Sequence, residues 1–92
     1  MKGQQKIDLD SVFHKLNNMT DNNRVNGETL ILDNISRDRG GITVTIMNRS
    51  IGDSTQTFRI TPTEIHTTSM SRQTTPSENF ILDITGRTQF NN

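Results

Sequence analysis

The sequence predicts an α+β fold that is mainly β, with one N-terminal amphipathic helix followed by a small antiparallel sheet or barrel of four to five strands. Three observations carry that prediction. Leu9, Val12, Phe13, Leu16 and Met19 recur at helical spacing, which puts them on one stripe of a helix. Ile42-Thr-Val-Thr-Ile-Met47 alternates apolar and polar residues, the period of a half-buried strand. From Asn26-Gly27 onward the chain turns rich in β-branched residues, which fit a pleated surface.

The elements follow in order. Asp8 or Asp10 can cap the first helix, because a carboxylate accepts from unpaired first-turn N–H groups and suits the positive end of the helix dipole. Asn17 and Asn18 weaken the stripe, and Met19 to Asn23 reads as an exit loop, so the helix covers about 8–19. Glu28-Thr-Leu-Ile-Leu-Asp-Asn-Ile35 reads as a strand, Arg37 to Gly41 as a loop and Ile42–Met47 as the next strand. Ser50 to Ser54 is a turn. Gln56, Phe58 and Ile60 mark the inner face of a returning strand, with Thr55, Thr57 and Arg59 facing out.

Thr61-Pro-Thr-Glu64 combines a capping residue, a proline and a capping-box glutamate, so it reads as a helical turn or a bend. The pattern returns at Thr75-Pro-Ser-Glu78. Ile65 to Thr75 reads as a weak strand running into a loop. Glu28-Thr-Leu-Ile-Leu-Asp33 and Glu78-Asn-Phe-Ile-Leu-Asp83 agree at four of six positions, which raises two readings: two equivalent, neighbouring strands, or coincidence in an Ile-rich chain. Beyond Gly86 the chain is polar apart from Phe90 and is expected to fray unless a neighbour holds it. The whole chain, 1–92, reads as one domain: helix about 8–19, β-rich part about 26–86, polar tail 87–92.

Ten Ile, five Leu, three Val, four Phe and four Met, with no alanine, make a lean core of bulky pieces. A small domain buries a smaller share of its surface than a large one and often needs extra support. Cysteine is absent and only His14 and His66 could serve as imidazole ligands, so neither disulfides nor structural zinc is expected to provide it. Self-association is the remaining expectation, with Leu9, Val12, Phe13, Leu16, Met19 and Phe90 as the candidate interface.

Ten basic residues balance ten acidic ones, so no global field draws the chain to nucleic acid or anionic lipid. No apolar run suits a signal peptide or a membrane span. The expected location is the cytoplasm or a virion or other particle, not the exterior. The sequons at Asn18, Asn34 and Asn48 would matter only in a secreted chain.

No catalytic residue and no metal ligand set is predicted, and no cofactor. There is no cysteine, no Gly-x-Ser-x-Gly elbow and no phosphate-cradling loop, since Gly40-Gly41 lacks the downstream Gly-Lys-Ser/Thr. Asp10 and His14 share a helix face, which suits a surface pair better than a site. Asp33 and Asp83 would converge only if the two Ile-Leu-Asp segments were neighbours. Arg37, Arg39 and Arg49 fall in hairpin connections and form a candidate anion or nucleic-acid patch, since guanidinium matches phosphate. The chain has no Tyr or Trp, the rings on which single strands usually stack.

Arg24-Val25, Gly27-Glu28-Thr29-Leu30, Ile42-Thr-Val-Thr-Ile46, Phe58-Arg-Ile60 and Pro62-Thr-Glu-Ile65 stand in the order found in carbon storage regulators. Over roughly residues 24–65 the chain resembles that family of small β-rich dimers that bind mRNA leaders. The resemblance implies RNA binding, although the family begins directly with a strand and carries an arginine after its last strand. Here a helix comes first, and Thr67-Thr-Ser69 stands at that place with Arg72 nearby. The leading helix and the turn at Val25-Asn-Gly27 also resemble Sm-type RNA-binding rings. The primary expectation rests on the residues themselves: a non-enzymatic interaction or assembly module, self-associating or with a protein partner. An Asn/Thr-rich, alanine-free composition suits a phage or mobile-element origin. The alternative is an RNA- or nucleotide-binding regulator that uses the three loop arginines.

Overall fold

The computed structural model describes residues 5–20, 23–70 and 75–90. Its elements are α1 (Leu9–Asn17), β1 (Asn23–Val25), β2 (Glu28–Arg37), β3 (Ile42–Asn48), a single 3-10 turn (Arg49–Ile51), β4 (Ser54–Ile60), β5 (Ile65–Met70) and α2 (Thr75–Thr85). The five strands form one open antiparallel meander in sequence order. Of the two sheet forms the sequence allowed, it is the open one. Asp21 and Asn22 of the exit loop, Arg72, and Asn91-Asn92 of the tail lie outside the described residues.

Asp8 is the N-cap of α1, its Oδ1 accepting from the Ser11 N–H at 3.2 Å. The helix ends at Asn18, whose backbone N–H and side-chain amide both donate to the His14 carbonyl, at 3.1 and 2.7 Å, a local side-chain bond of the kind that competes with further helix. Val12 and Leu16 are fully buried, while Leu9, Phe13 and Met19 pack partly buried against the same core.

Strand β1 falls inside a stretch read as loop and turn. Its signal is the Asn26-Gly27 pair that joins it to β2, where both residues adopt positive φ (52° and 83°), as a two-residue hairpin turn of matching twist requires. Only three residue pairs follow from it: Asn23 with Leu30, Arg24 with Thr29 and Val25 with Glu28.

Strands β2 and β3 pair from Leu30 with Asn48 to Arg37 with Ile42, with a bulge at Asp33. One extra residue switches the phase of the alternation. Leu30 and Leu32 point inward before it and Ile35 after it, which keeps all three on the core face opposite Asn48, Ile46 and Val44. Strands β3 and β4 alternate cleanly, with Ile42, Val44, Ile46, Phe58 and Ile60 buried. At the β4–β5 connection Thr61 Oγ1 accepts from Glu64 N–H at 3.1 Å and Thr61 N–H donates to the Glu64 carbonyl at 2.9 Å. The first of the two Thr-Pro-x-Glu segments is therefore a tight bend between strands.

The second opens a helix, and this overturns the reading of Glu78 to Asp83 as a strand. α2 runs Thr75–Thr85 with Pro76 in its first turn, a place where the missing N–H costs nothing. Ser77 and Ile81 are buried and Ile84 is half-buried, a spacing of about one turn that faces the sheet. The β-rich part therefore ends at β5, and the two Glu-x-x-Ile-Leu-Asp segments are not equivalent.

Both helices and the inner strand faces contribute to a single buried cluster, so both helices lie on the same face of the sheet. The tail is also held. Phe90 stacks tilted on Phe58 with ring centroids 5.7 Å apart. Arg87 donates to the Gln5 carbonyl at 3.0 Å, and the Ile7 N–H donates to the Pro62 carbonyl at 2.7 Å. The expected fraying of the tail is corrected by these contacts as far as Phe90.

Candidate functional site

The three arginines of the expected patch do not converge. Arg37 closes the end of β2 beside Ile42, while Arg49 follows Asn48 at the other end of β3. Six residue steps of strand separate those ends, about 20 Å. Arg37 is moreover engaged: Nη1 lies 2.6 Å from Asp10 Oδ1 and the guanidinium sits 5.7 Å from the centre of the Phe13 ring. Arg39 and Arg49 are exposed at opposite ends.

The guanidinium that joins the β2–β3 loop is Arg59, which the sequence reading placed on the outward face without a role. Its Nη1 and Nη2 donate to Asp38 Oδ2 and Oδ1 at 3.0 and 2.8 Å, and Nη1 also donates to Thr43 Oγ1 at 3.0 Å. Asp38 Oδ1 accepts further from the Gly40 and Gly41 N–H groups at 2.8 and 3.0 Å. The Arg59 hydrogen bonds, followed by the Gly40 backbone, lower the Asp38 pKa from 3.8 to about 2. Arg59 is pushed up in turn by the same carboxylate. These contacts tie the β2–β3 loop to Thr43 of β3 and Arg59 of β4.

The carboxylates weighed earlier also separate. Asp10 pairs with Arg37 rather than His14, and His14 Nε2 lies 3.2 Å from the Asn18 amide nitrogen. Asp33 is the bulge residue of β2 and Asp83 lies exposed on α2. His66 sits 3.0 Å from Glu64 on the surface. Among the described residues no three His, Asp or Glu side chains come together to hold a metal ion, and no described helix is long and apolar enough to cross a membrane. A concavity of about 370 Å³ between Gln5-Lys6 and Thr85–Thr88 is lined by Lys6, Arg87 and the Thr85 and Thr88 side chains.

Of the expected interface residues, Val12 and Leu16 are committed to the chain's own core, and Met19 and Phe90 pack against it. Leu9 and Phe13 keep partly exposed surface on the side of α1 that carries the Arg37 contacts.

What remains open is a strand edge. β1 covers only Glu28, Thr29 and Leu30 of the ten residues of β2. From Ile31 to Arg37 the strand has β3 on one side and no described strand on the other. In an antiparallel ladder the backbone groups of successive residues face opposite neighbours. Asp38 N–H donates across the hairpin to the Gly41 carbonyl at 2.9 Å, so Asn34 and Ser36 share that side and the N–H and C=O groups of Ile35 and Arg37 face away from β3. Asp33, Asn34, Ser36 and Arg37 are all exposed. The outward sheet face beside this edge is hydroxyl-rich, with Thr45 and Thr57 hydrogen-bonded at 2.8 Å.

Compared with known proteins, the chain matches no family model, no curated protein and no solved structure.

Proposed function

We propose that this chain is a small non-enzymatic interaction and assembly module that self-associates by adding a strand to its sheet. The observation that carries the proposal is the partial cover of β2: among the described residues, a three-residue β1 leaves Ile31 to Arg37 with a strand on the β3 side only. An unpaired row of N–H and C=O groups readily accepts another strand. The zero net charge of the chain sets no long-range repulsion against association of copies.

The rival, an RNA- or nucleotide-binding regulator working through Arg37, Arg39 and Arg49, draws less support from the same geometry. One of its three guanidinium groups is paired with Asp10 and another stands at the far end of β3.

Native mass spectrometry and sedimentation of the freshly purified chain across a concentration series test the proposal. Species at multiples of 10.4 kDa that dissociate on dilution are expected. A chain that stays monomeric at several hundred micromolar, with no protein bound, overturns it. Co-purifying RNA whose release is steeply salt-dependent would instead favour the rival.

A further inference from the structure

We infer that the concavity between the N-terminal segment and the end of α2 is a binding site for one phosphate dianion, free or carried on a small monoester, held by Lys6 and Arg87. The site lies away from the β2 edge and does not depend on how copies associate.

Local backbone chemistry builds both of its walls. Gly86 takes a positive φ of 76° after the last turn of α2, the left-handed conformation that commonly closes helices. The Gly86 and Arg87 N–H groups both donate to the Leu82 carbonyl, at 2.9 and 3.1 Å. The chain turns there, and Arg87 and Thr88 come to line one hollow with Gln5 and Lys6. The Pro62 carbonyl accepts from the Ile7 N–H at 2.7 Å and from Arg87 Nη2 at 3.4 Å. One oxygen of the β4–β5 bend thus registers the two walls against each other.

Arg87 is oriented by these contacts without being neutralised. Its Nη2 donates to the Gln5 and Pro62 carbonyls at 3.0 and 3.4 Å, and both acceptors are uncharged. A guanidinium has five N–H donors in a fixed fork, which leaves three at Nε and Nη1. Arg37 and Arg59 are each paired with an aspartate. Among the described residues neither Arg87 nor Lys6 is paired with a carboxylate, and no described Asp or Glu lines the hollow.

The competing charges are smaller. α2 ends here, and a helix C-terminus carries about half a negative charge, against two full cations. A second concavity adjoins the first and brings in Asp8, Lys15 and Asp83 along with the start of α1, whose half positive charge offsets the end of α2. Across the two hollows three cations stand against two carboxylates, and Asp8 already accepts from the Ser11 N–H. The local field is positive in a chain whose net charge is zero.

The donor set selects phosphate. A guanidinium fork matches two phosphate oxygens and an ammonium serves as a point charge; two cations favour a dianion over a singly charged ion. About 370 Å³ is at the lower end of the range for small-molecule sites, about 300–1,000 Å³. No aromatic ring lines the hollow, so a nucleobase would have nothing to stack on.

Titration of the ¹⁵N-labelled full chain with inorganic phosphate, at slightly alkaline pH and with ionic strength held constant by sodium chloride, tests the site by NMR. The amide signals of Lys6, Gly86, Arg87 and Thr88 are expected to shift together and saturate on the order of millimolar phosphate. Lys6 is exposed, so Lys6→Ala keeps the fold, and it should weaken binding about tenfold through loss of one charge-assisted hydrogen bond. Lys6→Arg should retain binding, and Arg39→Ala, in the β2–β3 loop, should leave it unchanged. A parallel titration with glycerol phosphate separates the two sources of the dianion: tighter binding than inorganic phosphate assigns the site to a monoester, weaker binding to the free ion. Shifts that fail to saturate, that sodium chloride alone reproduces, or that keep the native affinity in Lys6→Ala overturn the site. None of these outcomes alters the mass or sedimentation result, so the assembly reading stands or falls separately.

Discussion

The Asp38 carboxylate and the Arg59 guanidinium meet in a bidentate pair, at 2.8 and 3.0 Å, that ties the β2–β3 loop to the middle of the sheet. Two N–H groups of the Gly40-Gly41 turn complete the shell of the carboxylate. The pair is partly exposed, with side-chain exposures of 26% for Arg59 and 63% for Asp38, so its worth is screened by solvent and its clearest signature is pH dependence.

Asp38 is held at about 2 in the fold against 3.8 for the free side chain. A depressed carboxylate contributes stability that is fully present above its unfolded pKa and lost as pH falls through its folded pKa. Thermal melts should therefore show the native chain more stable than Asp38→Asn above pH 4, with the gap closing between pH 4 and 2. In Arg59→Ala the Asp38 titration, followed by NMR, should move back up toward 3.8. A gap that is constant down to pH 2 would show that the ionised carboxylate adds nothing.

Gly41 is buried, and a Cβ built there would meet the Ile60 carbonyl oxygen. Overpacking of this kind costs about 1–3 kcal/mol. Gly41→Ala should lose that much in urea unfolding, because the clash is with backbone and cannot be relieved by a rotamer change. Gly40→Ala, whose Cβ would meet the Arg59 and Asp38 side chains instead, should lose less.

Leu16 is fully buried where α1 meets the sheet. Leu16→Ala should cost about 2–5 kcal/mol, the range for a buried leucine truncated to leave a cavity. Chemical denaturation measures it. A loss below 1 kcal/mol would mean that α1 does not dock on its own sheet.

Phe90 rests on the buried Phe58 ring. Phe90→Ala should destabilise the chain by about 1–3 kcal/mol, through lost apolar burial and the aromatic contact. If the melting temperature is unchanged, the tail is as free as its polarity suggests.

The paired Glu-x-x-Ile-Leu-Asp segments give a test of what sets secondary structure here. Asn79→Thr with Phe80→Leu makes the α2 segment identical to Glu28–Asp33 at all six positions. Far-UV circular dichroism should show helix content preserved, with a loss of about 1–2 kcal/mol for the smaller side chain at the half-buried position 80. Conversion to strand would mean that the six residues, rather than their flanks, decide.

Much of the architecture was legible because it is local. The stripe from Leu9 to Met19 and the alternation from Ile42 to Met47 are periodicities of 3.6 and 2 that backbone geometry imposes on any chain burying one face. Asn26-Gly27 carried the β1–β2 hairpin as well, and β1 was overlooked because three residues show no period. The remainder is set by distant contacts. Leu30, Ile31 and Leu32 form a strand because the hairpin turn precedes them and β3 lies alongside, while Ile81, Leu82 and Ile84 form a helix because Thr75-Pro76 opens one and the sheet offers a face for its apolar side. Phe90 is pinned by Phe58, thirty-two positions away in sequence. The arginines were scattered by the same cause: a seven-residue strand puts Arg37 and Arg49 at opposite ends, and Arg59, from another strand, takes the place beside Asp38. Periodicity determined α1, β3 and β4 and which of their side chains face inward; only tertiary packing decided β1, the helical state of α2 and which strand edge has no described neighbour, because those depend on what lies beside a segment and not on its own pattern.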